Sequence, residues 1–194
     1  MIILGLTGSI GMGKSTTAEL FRRQGVSVYD ADATVHALYR GRAAPLIEKI
    51  FPGTLRDGAV DRIRLRQALG GRPDALKRLE GIVHPLVREE EFHFLSRARA
   101  RQARLVVLDI PLLLESPGAE RCHAVVVVTT TAEIQRQRVM ARPGMTEDLF
   151  KELLQRQMPD EEKRRKAHFL VDSSHGLDSA ERQVRAILRA LAAC

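Results

Sequence analysis

A chain of 194 residues with 44% hydrophobic and 28% charged side chains can bury about 70% of the surface its unfolded form exposes, which argues against disordered, fibrous and membrane classes and for one domain with room for an insertion. Basic residues number 31 against 24 acidic, a formal net charge of +7, and 25 of the 31 are Arg; the planar guanidinium suits phosphate, so a polyanionic partner and a plain solvated surface are both open. No Trp, two Tyr and six Phe leave no base-stacking platform, so nucleic acid is not expected, and a nucleotide or phosphorylated small molecule fits the charge equally well.

Residues Met1 to Gly8 have no basic segment and only a short apolar stretch broken by Gly5. This is neither a signal peptide nor a membrane span, so a cytoplasmic protein without membrane contact is expected. The stretch Ile2–Leu6 is instead the first of five apolar runs. Val26–Asp30, Leu105–Asp109 and Ala124–Val128 follow, with a weaker one at Phe169–Asp172; near-continuous runs of this length suit strands buried on both faces of a parallel sheet. Helical patterns lie near Lys14–Gln24, Ala31–Arg40, Thr131–Ala141, Thr146–Gln157 and Ser179–Leu191. Thr130-Thr-Ala-Glu133 reads as a capping box for the third of these and Asp178 as the cap of the last. From about Pro45 to Arg104 no strand signal occurs, while helical spacing recurs at Leu65–Leu69, Leu76–Val83 and Val87–Leu95. That stretch reads as a helical insertion that serves an acceptor substrate or pads the core. Cys122 and Cys194 show no ligand or disulfide spacing and read as unpaired thiols.

Gly8-Ser-Ile-Gly-Met-Gly-Lys-Ser15 satisfies G-x-x-x-x-G-K-[ST] between the first strand and the first helix, the context that confirms the motif. Its glycines let backbone N–H groups turn toward a phosphate at a helix N-terminus. Lys14 then reaches the β- and γ-phosphates of a nucleoside triphosphate, and the Ser15 hydroxyl holds Mg²⁺ bridging them. Leu105–Asp109, an apolar strand ending in Asp, has the shape of the element that holds Mg²⁺ directly or through water, although such strands are common. Asp30-Ala-Asp32 stands at the end of the second strand, where an open parallel sheet presents residues to its ligand crevice. Asp32 is the candidate to orient an acceptor hydroxyl and take its proton; the alternative is that either carboxylate only caps a helix.

Ile110-Pro-Leu-Leu-Leu-Glu115 reads equally as a pocket wall and as core packing. Arg138 and Arg142, four apart with Arg136 nearby, repel by about 0.2–0.5 kcal/mol on an isolated helix, a cost that a bound polyphosphate reverses. Pro143-Gly144 ends that helix as a hinge signal, so the stretch can close over ATP as a lid, or it is a solvated basic face. His84 and Arg88 in the insertion fit a structural or a functional role, and Lys163-Arg-Arg-Lys166 reads as a solvated run.

Together these residues resemble the dephospho-coenzyme A kinase family, P-loop kinases related to the nucleoside monophosphate kinases. The resemblance is carried by Gly8–Thr16, Asp30–Asp32, Asp57–Arg62, Leu79–Arg88, Pro111–Glu115, Gln135–Arg142 and Gln157, in the family's order over most of the chain. It implies an α/β fold: a P-loop NTPase-type parallel five-stranded sheet flanked by helices (about 1–40 and 105–194), an inserted helical substrate domain (about 45–104) and a lid (about 136–160). It also implies ATP-dependent phosphorylation of the ribose 3′-hydroxyl of dephospho-coenzyme A, the final step of coenzyme A synthesis, with Mg²⁺ as cofactor. By carry-over, Asp32, Lys14 and Arg142 are catalytic, and Gly11, Met12, Gly13, Lys14, Ser15, Thr16, Arg138 and Arg142 bind ATP. Asp32, His84, Arg88, Leu113 and Glu115 face the acceptor, and Ser15 and Asp109 serve the metal. A monomer is favoured, with ATP and dephospho-coenzyme A as its partners.

Where the family reads Ala-Asp and then Asp-Asn, this chain has Ala167-His168 and Asp172-Ser173, a departure on the adenine side. Two other functions stay open. A different P-loop small-molecule kinase, of shikimate or gluconate type, keeps the phosphate loop without the block around His84-Pro85. A nucleotide-switched nucleic-acid-binding module would draw on the charge and betray itself by salt-dependent oligonucleotide binding.

Overall fold

The structure, a computed structural model, describes residues 1–192, so Cys194 lies outside the described residues. Along the chain, β1 (Ile2–Thr7) leads into α1 (Lys14–Arg23), β2 (Ser27–Asp30), α2 (Ala31–Tyr39) and α3 (Ala43–Ile50). A hairpin of β3 (Leu55–Arg56) and β4 (Ala59–Val60) precedes α4 (Arg62–Leu69) and α5 (Pro73–Ala100). Then come β5 (Leu105–Asp109), a single 3-10 turn (Pro117–Arg121), β6 (Ala124–Thr129), α6 (Ala132–Met140), α7 (Glu147–Gln155), α8 (Asp160–Arg165), β7 (Phe169–Asp172) and α9 (Gly176–Ala192).

The five apolar runs form one parallel sheet in the order β2-β5-β1-β6-β7. β1 lies between β5 and β6, with Leu6 opposite Asp109 on one side and Val126 on the other. The unbroken valines of β6 follow from burial on both faces. Val126 and Val128 pack with Leu4, Leu6, Phe21, Val184 and Ile187, while Val125 and Val127 pack with Leu113. Successive strand residues point to opposite faces, so only an all-apolar strand satisfies both. Gly5 interrupts the apolar run for a related reason: a Cβ there would stand 2.5 Å from Leu113 Cδ2 and 3.0 Å from Cys122 Sγ. The Cys122 Sγ lies 4.0 Å from the Gly118 carbonyl oxygen.

The chain divides into two compact units, one of Met1–Tyr29 with the chain from Arg101 onward, the other of Asp30–Ala100. The second unit gathers α2 to α5 and the hairpin around Leu38, Ala43, Ile47, Phe51, Val60, Leu65, Leu79 and Val83. It takes in α2 and α3, which begin upstream of the boundary near 45 that the sequence suggests. Among the described residues no helix is long and apolar enough to cross a membrane.

Local expectations need three corrections. The insertion does contain strands: Leu55 pairs with Val60 and Arg56 with Ala59 across Asp57 (φ 51) and Gly58 (φ 77). Two left-handed residues make the turn that matches strand twist, and strands of two residues are too short to show alternation. The cap of α6 is Thr131, whose hydroxyl accepts from the Ile134 N–H at 3.3 Å. That leaves Glu133 one position short of where a capping box needs it. Asp178 does not cap α9, which starts two residues earlier at Gly176; it lies in the first turn, where a negative charge suits the helix dipole.

In the second unit the Glu48 carboxylate accepts N–H bonds from Gly53 at 2.6 Å and from Thr54 and Leu55 at 3.0 Å. These bonds, Gly53's foremost, hold its carboxyl below the usual carboxylate range. A folded value below the unfolded one means stability that is complete above about pH 4.3 and lost as the pH falls through the folded value. Urea titrations between neutral and acid pH should therefore show a shallower loss of stability in Glu48→Gln than in the parent chain. Parallel curves would remove Glu48 from the acid response.

Candidate active site

The turn between β1 and α1 is forced by its glycines. Gly11 (φ 80) and Gly13 (φ 94) take left-handed conformations that L side chains rarely adopt. A Cβ on Gly11 would stand 2.5 Å from Val139 Cγ2 and 2.9 Å from the Gln135 carbonyl, and one on Gly8 would stand 2.8 Å from the Val128 carbonyl. Helix α6 and strand β6 thus press directly on the loop backbone. Gly13 precedes α1 without a side-chain cap, so no side-chain oxygen competes with an anion for the N–H groups and dipole of the helix start. Ser15 and Thr16 are exposed in that first turn, and Met12 is buried.

Side chains from later in the chain fix the loop from outside. The Ile10 N–H donates to Gln157 Oε1 at 3.0 Å, and Gln135 Nε2 donates to the Ile10 carbonyl at 2.8 Å. The Ser173 hydroxyl donates to the Met12 carbonyl at 2.8 Å. Arg138 in turn donates to Ser173 twice, to Oγ at 2.7 Å and to the carbonyl at 2.9 Å. The serine of the family departure is therefore a buried bridge between α6 and the phosphate loop. Beside it, the Ser174 hydroxyl and N–H hold the Asp172 carboxyl below the usual range.

Lys14 Nζ donates to Asp109 Oδ1 at 2.6 Å, with the carboxylate almost wholly buried at the end of β5. The structure thus brings Gly11 to Thr16, Lys14, Asp109 and Arg138 together in the first unit. Arg142 follows α6 in an exposed turn, where the Met145 N–H reaches the Arg142 carbonyl at 3.2 Å. Among the described residues no group of three or more His, Cys, Asp or Glu can hold a metal alone. Ser15 and Asp109 are hard oxygen donors, and one or two such ligands fit an ion that keeps phosphate and water in its shell.

In the second unit Asp30 is the cap of α2: its carboxylate accepts the Ala33 N–H at 2.8 Å. Asp32 is exposed within the first turn, so the capping role falls to Asp30. His84 and Arg88 are exposed on α5, four apart and so on one helix face.

Two sequence readings are corrected. Leu113 is fully buried against Val125 and Val127, and Glu115 Oε1 accepts the Met158 N–H at 2.9 Å, so these two side chains are turned inward while Leu112 of the same loop is exposed. Lys163 is not solvated: its side chain is fully buried, 2.8 Å from Glu115 Oε1. A run of four basic residues conceals it, because α8 turns only one of them inward. Gln135 and Ser173 drew no functional reading from the residues themselves, since a buried polar side chain leaves no periodic trace; Gln157 entered only through the resemblance.

A glycine turn over a helix start, its lysine on a buried aspartate at the end of the neighbouring parallel strand, defines a nucleotide-binding protein of the P-loop class. The family model described as dephospho-CoA kinase matches residues 2–179. The chain is 57% identical over 192 residues to the dephospho-CoA kinase of Rhodopseudomonas palustris strain HaA2, covering 99% of this chain and 96% of that one. It is 56% identical over 188 residues to the dephospho-CoA kinase of Mesorhizobium japonicum, covering 97% and 95%. The crystal structure of TT1252 from Thermus thermophilus superposes with a TM-score of 0.85 at 38% identity, over 98% of this chain and 97% of that one. The chain belongs to the dephospho-CoA kinase family.

Gly11→Ala should abolish ATP binding at a modest cost in stability, because both the left-handed backbone and the Gln135 carbonyl oppose a Cβ. Isothermal titration with ATP, paired with a melting curve, checks this; unimpaired binding would mean the turn tolerates rearrangement.

Proposed function

We propose that this kinase, which carries out the last step of coenzyme A synthesis, moves the ATP γ-phosphate to the ribose 3′-hydroxyl of dephospho-CoA with Asp32 as its base. The observation that carries the nucleotide half of this reading is the Lys14–Asp109 contact beneath the glycine turn. Backbone N–H groups from Gly11 to Thr16 receive the polyphosphate, and Lys14 supplies positive charge where the transferring group develops negative charge. Ser15 and Asp109 would hold Mg²⁺, which when bound offsets charge on the phosphate oxygens. Asp32 accepts the proton of the 3′-hydroxyl as that oxygen bonds to the γ-phosphorus, while the bond from γ-phosphorus to the bridging oxygen breaks and ADP leaves.

Exposure of Asp32, with the cap role taken by Asp30, supports this assignment. The exposed Arg142 before Pro143 and Gly144 (φ 74) supports a lid over residues 136–160 that brings the guanidinium to the phosphates. Arg138, already bonded to Ser173, lines the nucleotide side of the loop. His84 and Arg88 share an exposed face of α5 and meet the acceptor. A cytoplasmic location belongs to the same proposal.

The test is ADP release, coupled to NADH oxidation, with dephospho-CoA beside shikimate and gluconate. Release with dephospho-CoA alone is expected, and turnover of another alcohol in its place would redirect the acceptor assignment. Asp32→Asn should lower kcat by about a hundred- to ten-thousand-fold with both KM values changed only a few-fold, since the amide cannot take a proton. A kcat within about threefold of the parent, at saturating substrates, would place the base elsewhere or leave positioning alone to carry transfer. Arg142→Ala should lower kcat more than it weakens dephospho-CoA binding, and equal turnover with and without the arginine would return it to plain surface.

A further inference from the structure

The segment after α7 is pinned to other parts of the first unit at four points. The Ile10 N–H donates to Gln157 Oε1 at 3.0 Å, the Met158 N–H to Glu115 Oε1 at 2.9 Å and the Thr129 hydroxyl to Asp160 Oδ2 at 2.7 Å, while Lys163 Nζ lies 2.8 Å from Glu115 Oε1. The Lys163 side chain is fully buried, with its ammonium off-line for a hydrogen bond. Glu115 Oε2 and Asp160 Oδ1 are buried with no hydrogen-bond partner. A buried charge is costly even when paired, and an apolar pair of equal volume often holds a fold as well.

We propose that Lys163 is a positioning residue for nucleotide binding: paired with Glu115 it fixes the segment from Gln157 to Asp160, so that Gln157, opposite Gln135 of α6, fixes Ile10 and the curvature of the glycine turn. The proposal rests on the phosphate-loop reading above. The ammonium offsets the Glu115 charge, Glu115 holds the Met158 N–H, and the adjacent Gln157 receives the Ile10 N–H. Gln135 closes the clamp on the Ile10 carbonyl at 2.8 Å. Held on both sides, Ile10 sets the start of the turn in which Gly11 and Gly13 point their N–H groups at phosphate. Without the ammonium, a carboxylate is left buried and uncompensated, and the segment must shift to bring it solvent or a proton.

The test uses Lys163→Met, Gln157→Ala, the two combined, and Lys163→Met with Glu115→Gln. Equilibrium binding of a fluorescent ATP analogue with Mg²⁺ is the readout, beside the melting temperature and ADP release with dephospho-CoA. Lys163→Met and Gln157→Ala should each weaken ATP about tenfold, the combined variant should bind no worse than either, and adding Glu115→Gln should recover most of the affinity of Lys163→Met. A purely structural lysine would instead lower the melting temperature and leave the folded protein's ATP affinity within about twofold, which overturns the proposal, as do two effects that multiply. Should Lys163→Met not fold, Lys163→Gln keeps a donor for Glu115 without the charge and is read by the same cycle with Gln157→Ala. Nucleotide binding is independent of the acceptor, so a chain that binds the analogue but releases no ADP with dephospho-CoA counts against the acceptor assignment and leaves this cycle readable.

Discussion

The ammonium of Lys14 and the carboxylate of Asp109, 2.6 Å apart, set the terms on which the first unit is built. Asp109 is almost fully buried, and a buried carboxylate without a cation costs several kcal/mol. Parallel pairing puts Asp109 beside Leu6, so the chain leaving β1 passes that carboxylate at once. The turn must then double back within a few residues to start a helix with Lys14 at its first position. Left-handed residues at 11 and 13 make that turn, and α6 and β6 packed against it leave no room for a side chain at Gly11 or Gly8. One ion pair thus ties the end of β5 to the start of α1 across the glycine turn.

The sheet and the phosphate loop were legible because each leaves a dense local signal. Five apolar runs announced five strands, of which β1, β5 and β6 are buried while the edge strands β2 and β7 are part-exposed, and the loop motif stood where a strand meets a helix. What escaped was structure with no periodicity. The hairpin at Leu55–Val60 has strands of two residues, and its signal was the Asp57-Gly58 pair rather than any alternation. The capping of α6 shifted by one residue because Thr130 and Thr131 are chemically alike, and only packing chose between them; Thr130 instead meets Ser174 at 3.0 Å. Lys163 was hidden by its neighbours, since nothing in Lys-Arg-Arg-Lys tells which of four cations turns inward. Residues that touch the loop from far along the chain, Gln135, Gln157 and Ser173, are polar and singly placed, so they carry no pattern at all.

The Arg surplus divides the same way. Arg156 and Arg185 each pair with a Glu four residues earlier on an exposed helix face, and Arg165 pairs likewise with Glu161. Such pairs contribute about 0.3–0.5 kcal/mol each, which makes them solvated surface. Arg138 differs in kind: both of its terminal nitrogens are committed to Ser173, whose hydroxyl reaches the Met12 carbonyl. Charge count alone cannot separate the two groups, because the distinction lies in what the guanidinium meets.

The bond from Ser173 to Met12 spans 161 positions of sequence, which bears on the order of events at the ribosome. The phosphate loop is among the first segments made, yet its last restraint is encoded near the far end of the chain. At synthesis rates of about 5–20 residues per second, roughly 10–30 seconds separate the two. Throughout that interval a nascent chain lacks the Ser173 restraint on the glycine turn. The full set of loop restraints consequently exists only once β7, at the edge of the sheet, has been made.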